Sequence, residues 1–404
     1  MNPLQKKMEA YTSPQEVKKQ GFYPFFKAIE SAQDTVIELN GKKLLMFGSN
    51  SYLGLTNHPV IKEAAINAIK KYGTGCAGSR FLNGTLDLHN KLEASLASFV
   101  GKESALVFST GFQANLGAVS ALTGRHDYLL IDDADHASII DGCRLSFSKV
   151  IKFKHNDMTS LEKELKSLPE DKIKLIIVDG VFSMEGDITN LPEIVRLSAK
   201  YNGSIMVDEA HSMGVLGKNG SGTASHFGLT KEVDVIMGTF SKSLSTVGGF
   251  IAADEALINY LKHNSRSLIF SASISPANAA SAIAALEIVK AEPERLQQLW
   301  TNTHYAMKLL KELGFDIGKT ETPIIPIYVR DDLKTFMLTQ MLVEEGVFVN
   351  PIISPAVRSD SSLIRFSLMA THSLEQIDIA IHKIHKIASK LGIVTDSKST
   401  SSND

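Results

Sequence analysis

A lone lysine, Lys242, stands in the segment GTFSKSLSTVGG (238–249) among small hydroxyl and glycine residues, directly after the apolar run VDVIM. An isolated lysine is ordinarily a solvated surface residue. Its neighbours point elsewhere. Thr239, Ser241 and Ser243 supply hydroxyl donors, and the glycines let backbone amides approach a ligand, which together suit a phosphate close to an amine. An amine beside a bound phosphate suggests a Schiff base to pyridoxal phosphate, and that cofactor also needs an acid to pair with its ring nitrogen. Asp208 ends the run SIMV and would sit at a strand end, with His211 able to turn toward the same ring. The third requirement is a phosphate cup. STGFQ (109–113) lies between SALVF and the helical ANLGAVSALTG, so the amides of Gly111 and Phe112 can point at an anion on a helix N-terminus. Taken singly, Asp208 reads equally as a helix cap, His211 as a structural histidine and STGFQ as a capping turn. The combination with Lys242 favours a cofactor site.

These residues need a scaffold that gathers them at one edge. Short apolar runs at 104–109, 128–132, 174–180, 204–210, 234–239 and 249–253 alternate with helical or loop segments, a rhythm that predicts an α/β fold with a largely parallel sheet and its ligand site at the strand ends. Before them, TVIELNGKKLLMF carries an Asn40-Gly41 hairpin signal, followed by a helix from His58, the glycine-rich loop GTGCAGSRFLNGT and a second amphipathic helix. A long helical stretch over 277–315 leads to a smaller α+β region with a final helix near 374–391. The expected organisation is an N-terminal arm (1–50), a large cofactor-binding domain (51–285), a small C-terminal domain (286–394) and a polar, disordered tail (395–404). There is no internal repeat.

Composition narrows the function classes. The 404 residues are 44% hydrophobic and 21% charged with a formal net charge of −2, an ordinary globular balance with no electrostatic footprint for nucleic acid. Cys76 and Cys143 form neither a disulfide framework nor a metal-ligand spacing, so no metal is expected and a reducing cytoplasm is the natural compartment. No apolar stretch reaches the length of a membrane span, and MNPLQKKMEA lacks the apolar region of a secretion signal. The aromatic arm GFYPFF (21–26) is a candidate for peripheral lipid contact, with packing against a partner subunit the favoured reading. Two nucleotide-binding look-alikes fail. GTGCAG follows a helix rather than a strand; VDEAH spells a helicase-type acidic box, but GFDIGKT has the wrong spacing and position for its phosphate loop.

Beyond single residues, SNSYLGL (49–55), GTGCAGSRFLNGT (73–85), STGFQAN (109–115), DHASIIDG (135–142), DGVFSMEGD (179–187), VDEAHSMGVLG (207–217), GTFSKS (238–243) and RFSLMATH (365–372) resemble the α-oxoamine synthases, in order and over roughly residues 20 to 392. The resemblance implies a fold-type I pyridoxal-phosphate transferase, a homodimer with its active site at the subunit interface, that condenses an amino acid with an acyl-CoA and releases CO2. Serines on both sides of Lys242 look like the branch that takes L-serine and palmitoyl-CoA to 3-ketodihydrosphingosine. The alternative is a branch using glycine or alanine with another acyl-CoA, such as the oxononanoate or aminoketobutyrate enzymes. A non-catalytic scaffold subunit would be expected to lack the lysine.

Carried over residue by residue, the resemblance implies that Lys242 forms the covalent link and Asp208 pairs with the ring nitrogen, while His136 stacks on the ring face. His211 and Ser183 would hold the phenolic oxygen; Gly111, Phe112, Thr239 and Ser241, joined by Ser271 from the partner subunit, would hold the phosphate. Asn50 and Arg365 would take the substrate carboxylate. Arg365 lies in SLIRFSL, where alternate positions are apolar, and so belongs to the polar side of a buried element. Some relatives carry a further arginine in a proline-rich loop upstream; here NPIISPAVRSD has Ile353 and Ser354 there, leaving Arg365, with Arg358 the one substitute.

Overall fold

The computed structural model describes residues 1–358 and 360–394; the expected disordered tail, 395–404, lies outside the described residues. The chain first forms a hairpin, β1 (Val36–Leu39) and β2 (Lys42–Met46), around the predicted turn. Asn40 and Gly41 both take positive φ, 51° and 71°, as a two-residue hairpin loop of matching twist requires. There follow β3 (Ser104–Phe108), β4 (Tyr128–Asp132), β5 (Lys149–Phe153), β6 (Lys174–Asp179), β7 (Ser204–Asp208), β8 (Val235–Thr239) and β9 (Gly249–Ala253), which make one seven-stranded sheet in the order β3-β9-β8-β7-β6-β4-β5. From β8 to β5 the neighbours run parallel, while β9 is antiparallel to both β8 and β3.

The central strands are continuous apolar runs because helices cover both faces of the sheet. Alternate residues feed two separate cores: Ile176, Val178 and Val207 on one face, Leu175, Ile177 and Met206 on the other. β5, KVIKF, is absent from the runs read in the sequence, for a physical reason. It is the edge strand, and its exposed Lys149 and Lys152 occupy positions where a central strand carries Val or Ile.

The helical stretch after the sheet is two helices, Pro276–Ala291 and Glu294–Glu312, broken at Pro293, which lacks the amide that would continue the first. Beyond it, β10 (Ile324–Tyr328), β11 (Val347–Phe348), β12 (Asn350–Ile352) and β13 (Leu363–Ser367) complete the strands. β13 lies between β10 and β12, antiparallel to each, whereas β11 joins β2 in parallel and so ties the start of the chain to its end.

Residues 47–52 run along the segment after β13: the Ser367 amide donates to the Phe47 carbonyl at 2.8 Å and the Ala370 amide to that of Tyr52 at 2.7 Å. His372 pins the junction. Its ring stacks on Phe47 (centroids 4.2 Å apart), Nδ1 accepts the Met369 amide at 3.0 Å and Nε2 donates to the Met46 carbonyl at 3.0 Å. The buried Asn302 closes the same turn by donating to the carbonyls of Met369 and His372 at 3.0 and 2.9 Å. The effect is to bring Asn50 and Tyr52 against Arg365.

Burial pushes the His372 imidazole down to about 4, because a protonated ring there would lose water and Nδ1 would lose its acceptor role. A folded value below the unfolded one means that the contribution, roughly 3 kcal/mol, is fully present above pH about 6.5 and is lost as pH falls toward 4. In chemical denaturation between pH 7.5 and 4.5, His372→Gln is expected to lose stability with a distinctly shallower slope than the unmodified chain; equal slopes would refute the assignment.

Candidate active site

Asp132, Asp179, Asp208 and Thr239 are the last residues of four neighbouring parallel strands, so the carboxyl edge of the sheet collects polar groups. A cavity of about 290 Å³ opens there, lined by Gly111, Phe112, His136, Asp208, His211, Thr239, Ser241 and Lys242, all expected from the sequence. Asp179, Thr110, Ser138 and Val247 line it as well.

Lys242 follows β8 by three residues and puts its amine into this cavity, with no hydrogen-bond or ion-pair partner among the described residues. Burial lowers its proton affinity; Asp208 and Asp179 pull it back up, and the charge of Arg365 lowers it again. Asp208, 3% exposed, accepts from Asn115 Nδ2 at 2.8 Å and from the Ala210 amide at 2.9 Å. Its neighbour in register is Asp179, whose carboxyl is pushed well above the usual range by burial and then by the charge of Asp208.

Gly111, Phe112, Thr239 and Ser241 come together at this cavity. Thr110 caps the helix Gly111–Leu122 through its hydroxyl, which accepts the Gln113 amide at 3.1 Å, leaving the amides of Gly111 and Phe112 at the cavity. Thr239 and Ser241 face them, their hydroxyl oxygens 3.0 Å apart. A Cβ on Gly111 would stand 2.8 Å from Thr239 Oγ1, so only glycine lets these two walls approach this closely. Ser271 lies apart from the lining residues, accepting from Gln113 Nε2 of its own chain at 3.1 Å.

His136 caps the next helix, Ala137–Ser146, with Nδ1 accepting the Ser138 amide at 3.2 Å; the neutral ring therefore carries its proton on Nε2. Burial and Lys242 lower its affinity for a second proton against the opposing charge of Asp208. His211 is driven well below the ordinary histidine value, first by burial and then by Lys242, Arg365 and His136. The loop carrying Ser183 is held by His155, whose nitrogens lie 2.9 Å from Asp132 and 3.0 Å from Asp187. Burial alone would lower this imidazole, but the two carboxylates outweigh it and raise it to about 10.

Beside the cavity stands a second polar group. Arg365, 4% exposed, donates through Nε to the Ser183 carbonyl (2.7 Å), through Nη1 to Asn50 Oδ1 and Ser367 Oγ (both 2.8 Å), and through Nη2 to the Tyr52 hydroxyl (3.1 Å). Every one of these partners is neutral, so among the described residues the buried guanidinium has no anionic partner, an arrangement able to accept a carboxylate. Arg358 stands well out in solvent, 3.2 Å from Asp360. The glutamate of VDEAH is committed to structure: Glu209 is buried and accepts the Thr223 and Ala224 amides at 2.7 and 2.8 Å.

Sequence reasoning missed Asp179, Tyr52 and Asn115. The strand-end rule that singled out Asp208 applies equally to Asp179, which ends KLIIVD. Tyr52 lies within a quoted motif but reads as an apolar position, and Asn115 is one polar residue inside a helix, without a local signal.

Comparison with known proteins agrees with this geometry. The aminotransferase class I and II profile matches residues 42–384. A serine palmitoyltransferase of Sphingobacterium spiritivorum is 59% identical over 384 residues, 95% of this chain and 96% of that protein. An 8-amino-7-oxononanoate synthase of Petrotoga mobilis is 47% identical over 368 residues, 91% of this chain and 94% of that protein. A solved structure described as SPT with PLP internal aldimine superposes with a TM-score of 0.95 at 34% identity, covering 98% of this chain and 100% of that one. The fold and the motif resemblance are thereby borne out, and the chain belongs to the aminotransferase class I and II family.

Proposed function

We propose that the protein binds pyridoxal phosphate and condenses L-serine with palmitoyl-CoA, releasing CO2 and free CoA and giving 3-ketodihydrosphingosine. The observation that carries the chemistry is the Lys242 amine, without a hydrogen-bond or ion-pair partner among the described residues, at a cavity that Asp208, Gly111, Phe112, Thr239 and Ser241 also line. These residues fit the cofactor: cup for phosphate, acid for ring nitrogen, amine for the aldehyde carbon. When bound, the cofactor supplies an electron sink for a carbanion at the amino-acid Cα.

The chain's own groups do the rest. Lys242 Nζ, its proton affinity lowered by burial, serves as the base that takes the Cα proton of the bound serine. Asp208 holds a proton at the ring nitrogen. Arg365 and Asn50 hold the serine carboxylate, replacing their present mutual contact, and Ser183 joins His211 at the phenolic oxygen. His136 covers the reacting carbon and offers Nε2–H to the oxyanion that develops on the thioester carbonyl. The substrate choice rests on the 59% identity with a serine palmitoyltransferase, against 47% for the oxononanoate synthase.

We further propose a homodimer, with Ser271 serving the partner's phosphate site; the exposed Phe112 and Val247 at the cavity, and the exposed Phe270 next to Ser271 in the chain, suit cover by a second copy. Among the described residues no helix is long and apolar enough to cross a membrane, and the free thiols of Cys76 and Cys143 suit the cytoplasm. Contact of the 22–26 arm with a lipid surface would be peripheral.

Two measurements test the reading. Lys242→Ala is expected to lose both the visible absorbance of the bound cofactor and all measurable CoA release; retention of either overturns the role of the lysine. In the unmodified protein, L-serine should shift the cofactor spectrum and support CoA release from palmitoyl-CoA. A shift with glycine or alanine but none with L-serine would refute the substrate and leave the family untouched.

A further inference from the structure

We infer that Tyr52 is a positioning residue that fixes the tautomer of His211, leaving its proton on Nε2, and joins that ring to Arg365. The argument is one of donors and acceptors. Tyr52 is fully buried, with its hydroxyl 2.7 Å from His211 Nδ1, 3.1 Å from Arg365 Nη2 and 3.5 Å from Asn50 Oδ1. Arginine can only donate, so the hydroxyl accepts from Arg365 and has one proton of its own to place. Asn50 Oδ1 is the longer contact and already accepts from Arg365 Nη1 at 2.8 Å. The proton therefore goes to His211 Nδ1, and the neutral imidazole must carry its hydrogen on Nε2, the other polar atom of a ring that lines the cavity.

The surroundings keep the ring neutral. Lys242, Arg365 and His136 are the charged or titratable groups that oppose a second proton on it, in addition to burial. A neutral donor at Nε2 suits a phenolic oxygen, and in this respect the inference rests on the proposed cofactor. It also gives the carboxylate site and the ring site a shared part: a carboxylate that draws on Arg365 Nη2 competes with the Tyr52 hydroxyl for the same hydrogens.

The test uses the full chain labelled with 15N-histidine and freed of cofactor, the His211 signals being assigned by their loss in His211→Gln. In the unmodified protein, Nδ1 should give an unprotonated and Nε2 a protonated nitrogen signal. Tyr52→Phe keeps the ring and removes the hydroxyl; it should give a mixed or reversed pattern and, in cofactor-loaded protein, raise the L-serine concentration for half-maximal spectral change about tenfold, the equivalent of one lost hydrogen bond. A protonated Nδ1 in the unmodified protein, or an unchanged pattern in Tyr52→Phe, overturns the inference. The first of these decides the matter even if Tyr52→Phe does not fold. Finding the Nε2 tautomer while L-serine leaves the spectrum unmoved would sink the substrate reading and not this one.

Discussion

A lysine amine enclosed without a partner is unfavourable unless nearby carboxyls offset the loss of water, and that constraint organises the edge of this sheet. Parallel strands β6 and β7 end in register on Asp179 and Asp208, so their carboxyls stand side by side near Lys242. The two are supported differently. Asp208 receives N–H donors from Asn115 and Ala210, whereas the chief influences on Asp179 are burial and the charge of its neighbour. Asp208 thus carries two hydrogen-bond donors, while burial and the charge of its neighbour raise the proton affinity of Asp179 against a backbone donor from His136. Asn115 also reaches Ser138, which bonds His136, so Asp208 and His136 share one polar brace.

The second cation needs a different solution. Arg365 sits in a small sheet built from the far end of the chain, and all its described acceptors are neutral oxygens. Such a group is held at the cost of incomplete compensation, which a substrate carboxylate would complete. Its placement depends on contacts between segments distant in sequence: β2 with β11, and His372 and Asn302 with the turn after β13. Core packing and the placement of Arg365 are therefore carried by the same junction.

Local chemistry made much of this legible. Glycine, threonine and serine around an amine, and an aspartate closing an apolar run, are types whose roles follow from what they donate or accept, and seven of the residues so named line one cavity, with His136, implied by the family resemblance, beside them. The legible part ends where a role depends on which distant neighbour a side chain meets. Tyr52 passes for core until Arg365 and His211 are seen against its hydroxyl. Lys149 and Lys152 disguised β5, because an edge strand is selected against pairing rather than for burial.

The serines flanking Lys242 show how a sequence signature divides once geometry is added. Ser241 lines the cavity, its hydroxyl 3.0 Å from Thr239 Oγ1, and so stands with Thr239, Gly111 and Phe112 at that wall. Ser243 is 2% exposed, does not line the cavity and packs against Gly214, where a Cβ would stand only 2.4 Å from its own. Its hydroxyl is buried without a partner, so alanine would fill the same space at no loss of hydrogen bonding. A residue turned into the core cannot select serine over glycine by touching it. The second serine of the motif therefore marks kinship with the serine-using branch, and discrimination between amino acids cannot come from its hydroxyl.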